Sequence, residues 1–176
     1  MWIAQMTDPW TVNTQTIRLL VRPSHNWEQV NGENINEAPE ILKRGGRTFM
    51  AFSAAPCHTP EYKLGLMELT GNDPLNPNHW IKDPQPVFQK ANGVYGSGHN
   101  GFFKSPNGEQ DWNIYHGNAS ANQGCGNTRS VRAQPVTWGG DGKPRFGQPV
   151  STTTDVPVPA GSSLVLDKPI DLSATG

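Results

Sequence analysis

The chain has 176 residues, 14 basic and 15 acidic side chains, a net charge of −1 and 16% charged residues. Gly (19) and Pro (16) fill about a fifth of it, against roughly 12% in average usage; with Asn they take 50 positions. Turns therefore interrupt the chain too often for a helical bundle, a coiled coil or a Rossmann domain. The balanced charge gives no basic patch for nucleic acid. No apolar run is long enough for a membrane-spanning helix, so neither nucleic acid nor membrane is expected as a partner.

The run 1–6 has neither the basic lead nor the apolar length of a secretory signal. It reads as a strand entered without a lead-in, a first sign of a piece of a longer protein. Strand-like patterns follow at 2–6, 17–21, 40–43, 48–53, 63–69, 101–104, 112–116, 130–138 and 145–146. Turn signals separate them: Arg44-Gly45-Gly46, Gly71-Asn72-Asp73-Pro74, Ser105-Pro106-Asn107-Gly108 and Gly139-Gly140-Asp141-Gly142. No segment carries a helical period.

Two stretches repeat at an offset of about 60 residues. One runs from Glu37 through Ile41 and Leu42, a Gly turn, and on to Phe52 and Ser53. The other runs from His99 through Phe102 and Phe103, a Gly turn, and on to Tyr115 and His116. Each is followed by a third strand and a Pro-rich edge, 83–88 and 146–150, and the opening segment resembles the second half of such a unit. Four-stranded units at this spacing predict an all-β protein built of β-propeller blades, half a blade followed by two full ones. A ring needs at least about four blades, so by that count the chain leaves apolar faces open.

The first strand of a blade lines the central channel, which puts Glu37 and His99 at equivalent places. Glu37 stands before Ala38-Pro39 in an extended approach fixed by the proline. Ahead of Ile41 and Leu42 it is expected to be partly desolvated, as a general acid requires; the competing reading is a solvated turn glutamate. His99, in Gly96-Ser97-Gly98-His99-Asn100, reads either as a core histidine packed between glycines or as a residue that places water or an ion in the channel. Arg129 opens the third strand of the second unit, with a fork of donors suited to hydroxyls or a carboxylate; the competing reading is an ion pair at the surface or between blades. Arg132 is a weaker case of the same kind. His116 ends a strand and reads as structural. His25, His58 and His79 read as loop residues, with His58, beside Cys57, placed to line a pocket. Cys57 and Cys125 are too few for a disulfide framework and sit in no CxxC pattern. The simpler reading is two half-buried thiols; the alternative is a single disulfide, which requires an oxidising compartment.

Taken in order, Asn36-Glu37-Ala38-Pro39-Glu40-Ile41-Leu42, Tyr62-Lys63-Leu64-Gly65, Pro86-Val87-Phe88, Gly96-Ser97-Gly98-His99-Asn100, Asp111-Trp112, Tyr115-His116, and Arg129 through Gln134-Pro135-Val136 resemble glycoside hydrolase family 43, above all its secreted α-L-arabinofuranosidases. The resemblance covers roughly residues 1–150. It implies part of a five-bladed β-propeller, roughly its last three blades, and hydrolysis of arabinose-containing polysaccharides with inversion. Residues 151–176 would be a closing strand, centred on Leu164-Val165-Leu166, or a linker tail. By the same resemblance Glu37 is the general acid, His99 the channel histidine contacting an ion through water, and Arg129 the substrate-binding arginine. The substrates would be arabinan, arabinoxylan or related oligosaccharides, and the location extracellular. No cofactor is required for the chemistry, although a structural calcium in the channel is common in the family. The pattern departs in two places. The family's two aspartates, the base and the residue that tunes the acid, have no match here, since Asp8, Asp73, Asp83, Asp111 and Asp141 fall in turns. Residue 38 is Ala where Gly is often expected. A β-xylosidase of the same family and a non-catalytic carbohydrate-binding propeller fragment are the alternatives.

Overall fold

The computed structural model describes residues 1–163; the expected closing strand at 164–166 lies outside them. Among the described residues there is no α-helix, only three single-turn 3-10 helices at Thr14–Thr16, Asn26–Glu28 and Pro77–His79. The strands are β1 (Trp2–Ile3), β2 (Met6–Asp8), β3 (Thr11–Val12), β4 (Arg18–Leu19), β5 (Gln29–Val30), β6 (Glu33–Asn34), β7 (Asn36–Arg44), β8 (Arg47–Ala54), β9 (Lys63–Leu69), β10 (Trp80–Lys82), β11 (Tyr95–Lys104), β12 (Asp111–Asn118), β13 (Ser130–Trp138) and β14 (Pro144–Arg145).

Two four-stranded antiparallel sheets dominate, ordered β10-β9-β8-β7 and β11-β12-β13-β14. Each is a meander in chain order, as the repeat at an offset of about 60 residues predicts. β8 shows why they stack. Its side chains alternate between faces with the period of two that a strand imposes. Phe49 and Ala51 join Leu64, Phe88, Tyr115, Val136 and Phe146 in a core between the sheets. Met50, Phe52 and Ala54 point the other way, under Leu20, Trp80 and the opening segment. A strand buried on both faces carries no polar alternation, and β8 has none beyond Ser53. Glycine makes one close approach possible: a Cβ on Gly65 would lie 2.3 Å from the ring of Phe52.

The far face of the second sheet stays open. Ile114 and Val131 are exposed there, Val131 by 79%. At the end of the strands away from Glu37 the sheets are tied by charge. Buried Asp111 meets Lys104 at 2.7 Å and Arg44 of the first sheet at 3.7 Å, and it accepts from Trp138 Nε1 at 3.0 Å.

Several expectations are corrected. The opening segment does pair its two expected stretches, β1 with β4, but over two residues each, and it adds an unforeseen ladder, β2 with β3, between them. The hairpin β5–β6, turned by Asn31 and Gly32 at positive φ, has strands of two residues, too short for a pattern. The fourth strand of the first sheet is Trp80–Lys82 and not the Pro-rich 83–88, which contributes only the bridge Leu64–Phe88; proline supplies no ladder N–H. β11 starts at Tyr95, six residues earlier than its sequence pattern, through an irregular stretch with register shifts around Gly98. Asp111 is no turn residue; it opens β12 and is buried. The cysteines are not free thiols: Cys57 and Cys125 form a disulfide, Cα–Cα 5.2 Å, that joins the loop after β8 to the loop after β12.

Candidate active site

The first strands of the two sheets, β7 and β11, pack against each other and bring the candidate residues to one end. Glu37 lies opposite Ser53 in the β7–β8 ladder, and a bulge separates it from Glu40. Ala38 sits in that bulge at φ +47°, a left-handed conformation that favours glycine and costs an alanine about 1 kcal/mol. The bulge re-aims the strand end that carries Glu37. Ser53 reaches across to the second sheet, its Oγ accepting from the His99 N–H at 2.8 Å. His99, itself at φ +51°, therefore stands beside Glu37's ladder partner, as the repeat predicts.

Two residues without an expected role complete the cluster. Tyr62 is fully buried, and its hydroxyl donates to Glu37 Oε1 at 2.6 Å. Its ring stacks on His116, with centroids 5.5 Å apart and planes 1° from parallel. His116 in turn lies 6.3 Å from the His99 ring and 3.4 Å, Nε2 to Nη1, from Arg129. Glu37, Tyr62, His116, His99 and Arg129 thus form one continuous group built from both sheets. The signal for Tyr62 lies in Gly98: a Cβ there would come within 2.4 Å of the Tyr62 ring, so this glycine makes room for the tyrosine and not, as expected, for His99. Among the described residues His99 is exposed. Glu37 is exposed as well. The burial expected around it falls instead on its hydrogen-bond donor.

Electrostatics follow the burial. Desolvation first, then the Glu37 carboxylate, push the Tyr62 phenol well above its ordinary range, so it remains a hydrogen-bond donor at every working pH. It occupies Oε1, and among the described residues Oε2 has no hydrogen-bond partner. Arg129 is exposed; its Nε donates to the Gly126 carbonyl at 3.1 Å, and among the described residues no carboxylate pairs with it, so its fork faces outward. Arg132 is elsewhere, half-buried, with Nη1 donating to Val150 O. His58 pairs with Glu33 at 3.2 Å beside the disulfide.

The imidazole of His116 is held down to about 4, by burial first and then by the Arg129 and His99 charges, against a smaller opposing pull from Glu37. The unfolded chain therefore binds more protons than the folded chain between about pH 6.5 and about pH 4. Stability is complete above that window and falls as pH drops through it, by roughly 2 kcal/mol once solvent screening of the half-buried ring is allowed for. His116→Phe keeps a ring against Tyr62 and removes that slope; chemical denaturation at pH 7 and pH 4 measures it.

Calcium takes about six to eight oxygen ligands. Among the described residues no three His, Cys, Asp or Glu side chains gather as a metal site, and His99 offers nitrogen. Contact of His99 with a channel ion through water needs no such cluster, and no step below runs through a metal.

This arrangement, a carboxylate held by a buried phenol beside two imidazoles and an outward guanidinium, suits protonation of a polar leaving group in an open cleft. The sequence profile of "Glycosyl hydrolases family 43" matches residues 1–144, and the chain belongs to that family. It is 37% identical over 158 residues to the extracellular exo-α-(1→5)-L-arabinofuranosidase of Streptomyces avermitilis, covering 86% of this chain and 32% of that protein. It is 34% identical over 157 residues to α-L-arabinofuranosidase 43 of Humicola insolens, covering 85% and 32%. The crystal structure of α-L-arabinofuranosidase from Lactobacillus brevis superposes with a TM-score of 0.78 at 33% identity, over 88% of this chain and 49% of that one. The chain thus spans about a third of the length of these curated relatives.

Proposed function

We propose that this chain is the general-acid portion of an inverting α-L-arabinofuranosidase. The observation that carries the reading is the hydrogen bond from Tyr62 to Glu37, beside His99, His116 and Arg129. Glu37 gives its proton from Oε2 to the glycosidic oxygen as the bond from that oxygen to C1 breaks. The Tyr62 phenol then stabilises the carboxylate left behind. Water attacks C1 from the opposite face, and a carboxylate base about 6.5–9.5 Å from the acid takes its proton. We assign that base to a part of the protein outside the described residues. Asp83, Asp111 and Asp141 are each committed to a basic partner, and Asp8 and Asp73 accept from nearby backbone N–H groups in turns. Arg129 and His99 orient the sugar through its hydroxyls. The two four-stranded sheets are read as propeller blades, and the open face of the second as the seat of a further blade. Arabinan, arabinoxylan or related oligosaccharides are the substrates, and the disulfide fits an oxidising, extracellular location.

The test compares the isolated chain with a full-length version on an aryl α-L-arabinofuranoside. The isolated chain is expected to release no arabinose. The full-length version releases it with inverted configuration, seen as the first anomer in proton NMR. Robust cleavage by the isolated chain contradicts the placement of the base, and a retained first anomer contradicts the mechanism.

A further inference from the structure

The loop between β12 and β13 carries Arg129 to the site, and its sequence does little to fix it. Residues 119–129 are mostly exposed, and Gly124 and Gly126 flank Cys125. Its hydrogen bonds gather before Cys125, where Gln123 and Ser120 close a turn and Asn118 Nδ2 donates to the Gln123 and Gly124 carbonyls; beyond Cys125 Thr128 Oγ1 donates to Asn118 Oδ1 at 3.3 Å and Arg129 Nε to the Gly126 carbonyl. The loop after β8 is the opposite. Ala55, Pro56, Thr59 and Tyr62 are buried, Thr59 closes a turn onto the Pro56 carbonyl, and the Gly96 N–H donates to Pro60 O. The disulfide joins this firm loop, through Cys57, to the loose one at Cys125. The next residue after Cys125 is Gly126, and its carbonyl is the acceptor for Arg129 Nε.

We propose that the Cys57–Cys125 disulfide is a positioning device for Arg129: it fixes Cys125, hence the Gly126 carbonyl, hence the guanidinium beside His116. One covalent bond thereby couples the loop that presents Tyr62 to the acid with the loop that presents Arg129 to the sugar. The sugar-facing role of Arg129 rests on the glycosidase reading; the positioning itself does not.

His116 reports where Arg129 is: its ring faces Arg129, His99, Glu37, the Tyr62 ring and the Gly96 backbone, of which only Arg129 lies on the Cys125 loop, while Tyr62, on the Cys57 side, is anchored by its own burial and its bond to Glu37. The experiment is a 13C NMR titration of His116 in this chain, with amide spectra to confirm the fold. Four forms are compared: the native chain, Arg129→Gln, the pair Cys57→Ser and Cys125→Ser, and all three substitutions together. The expected result is a rise of the His116 pKa from about 4 in the serine pair equal to that in Arg129→Gln, with no further rise in the combination. A folded serine pair with His116 unmoved overturns the proposal. Thr128→Ala, which keeps the disulfide, guards against a serine pair that fails to fold. It is expected to leave His116 unmoved, and a rise there shows that the loop's own hydrogen bonds hold Arg129 and overturns the proposal equally. No substrate enters the titration, so its outcome is separate from the fate of Glu37 as an acid, which turnover decides.

Discussion

Glu37→Gln in a full-length version of the chain is expected to lower kcat on natural arabinosides by about 10²–10⁴-fold, the usual contribution of a positioned acid. The fold should survive, because Glu37 is exposed and the amide oxygen can still accept from the Tyr62 hydroxyl. KM should change little, since sugar contacts are assigned to Arg129 and His99. Tyr62→Phe makes a graded companion. It keeps the stack on His116 and loses only the hydrogen bond to a charged acceptor, worth about 1.5–3 kcal/mol, so kcat falls roughly tenfold to a hundredfold. A Tyr62→Phe loss as large as that of Glu37→Gln would mean that the phenol, and not the carboxylate, is the proton donor. Steady-state kinetics with circular dichroism on the same samples separates these outcomes.

The second large effect is on stability. The disulfide closes a loop of 68 residues, which in the chain-entropy account stabilises the fold by about 4 kcal/mol. Replacing both cysteines by serine is therefore expected to lower Tm by roughly 10 °C in a chain of this size. The loss should be concentrated where the two loops meet, and hydrogen exchange should show faster opening around residues 119–129 than in β8, which is buried on both faces. A Tm unchanged within a degree or two would show that the loops stay together without the bond.

Much of this architecture is legible in the residues themselves, and the parts that are not share physical causes. β8, β9, β12 and β13 are long and β-rich, so their residues announce them within a position or two. The repeat places Glu37 and His99 at one end because Glu37 opens β7 and His99 stands just ahead of the regular part of β11, and the two strands do pack together. The opening of β11 is hidden by Gly96, Ser97 and Gly98, residues of low strand propensity, of which Gly98 is present for clearance around Tyr62 and not for strand formation. Trp80–Lys82 is too short to show alternation. Tyr62 and His116 are hard to single out because their importance is relational. A tyrosine just before β9 and a histidine near the end of β12 become a site only when the two sheets stack and their rings meet at 5.5 Å. The disulfide is of the same kind, since nothing local distinguishes a thiol that will meet its partner 68 residues away from one that will not.

The most direct test of Glu37 as the acid is the leaving-group dependence of Glu37→Gln in a full-length version. A dinitrophenyl arabinofuranoside leaves without help from an acid, whereas an alkyl arabinoside or a sugar does not. The account predicts that the variant keeps most of its rate on the activated substrate and loses about 10²–10⁴-fold on the unactivated one. An equal loss on both would contradict it, and would assign Glu37 to binding or to the fold and not to proton transfer.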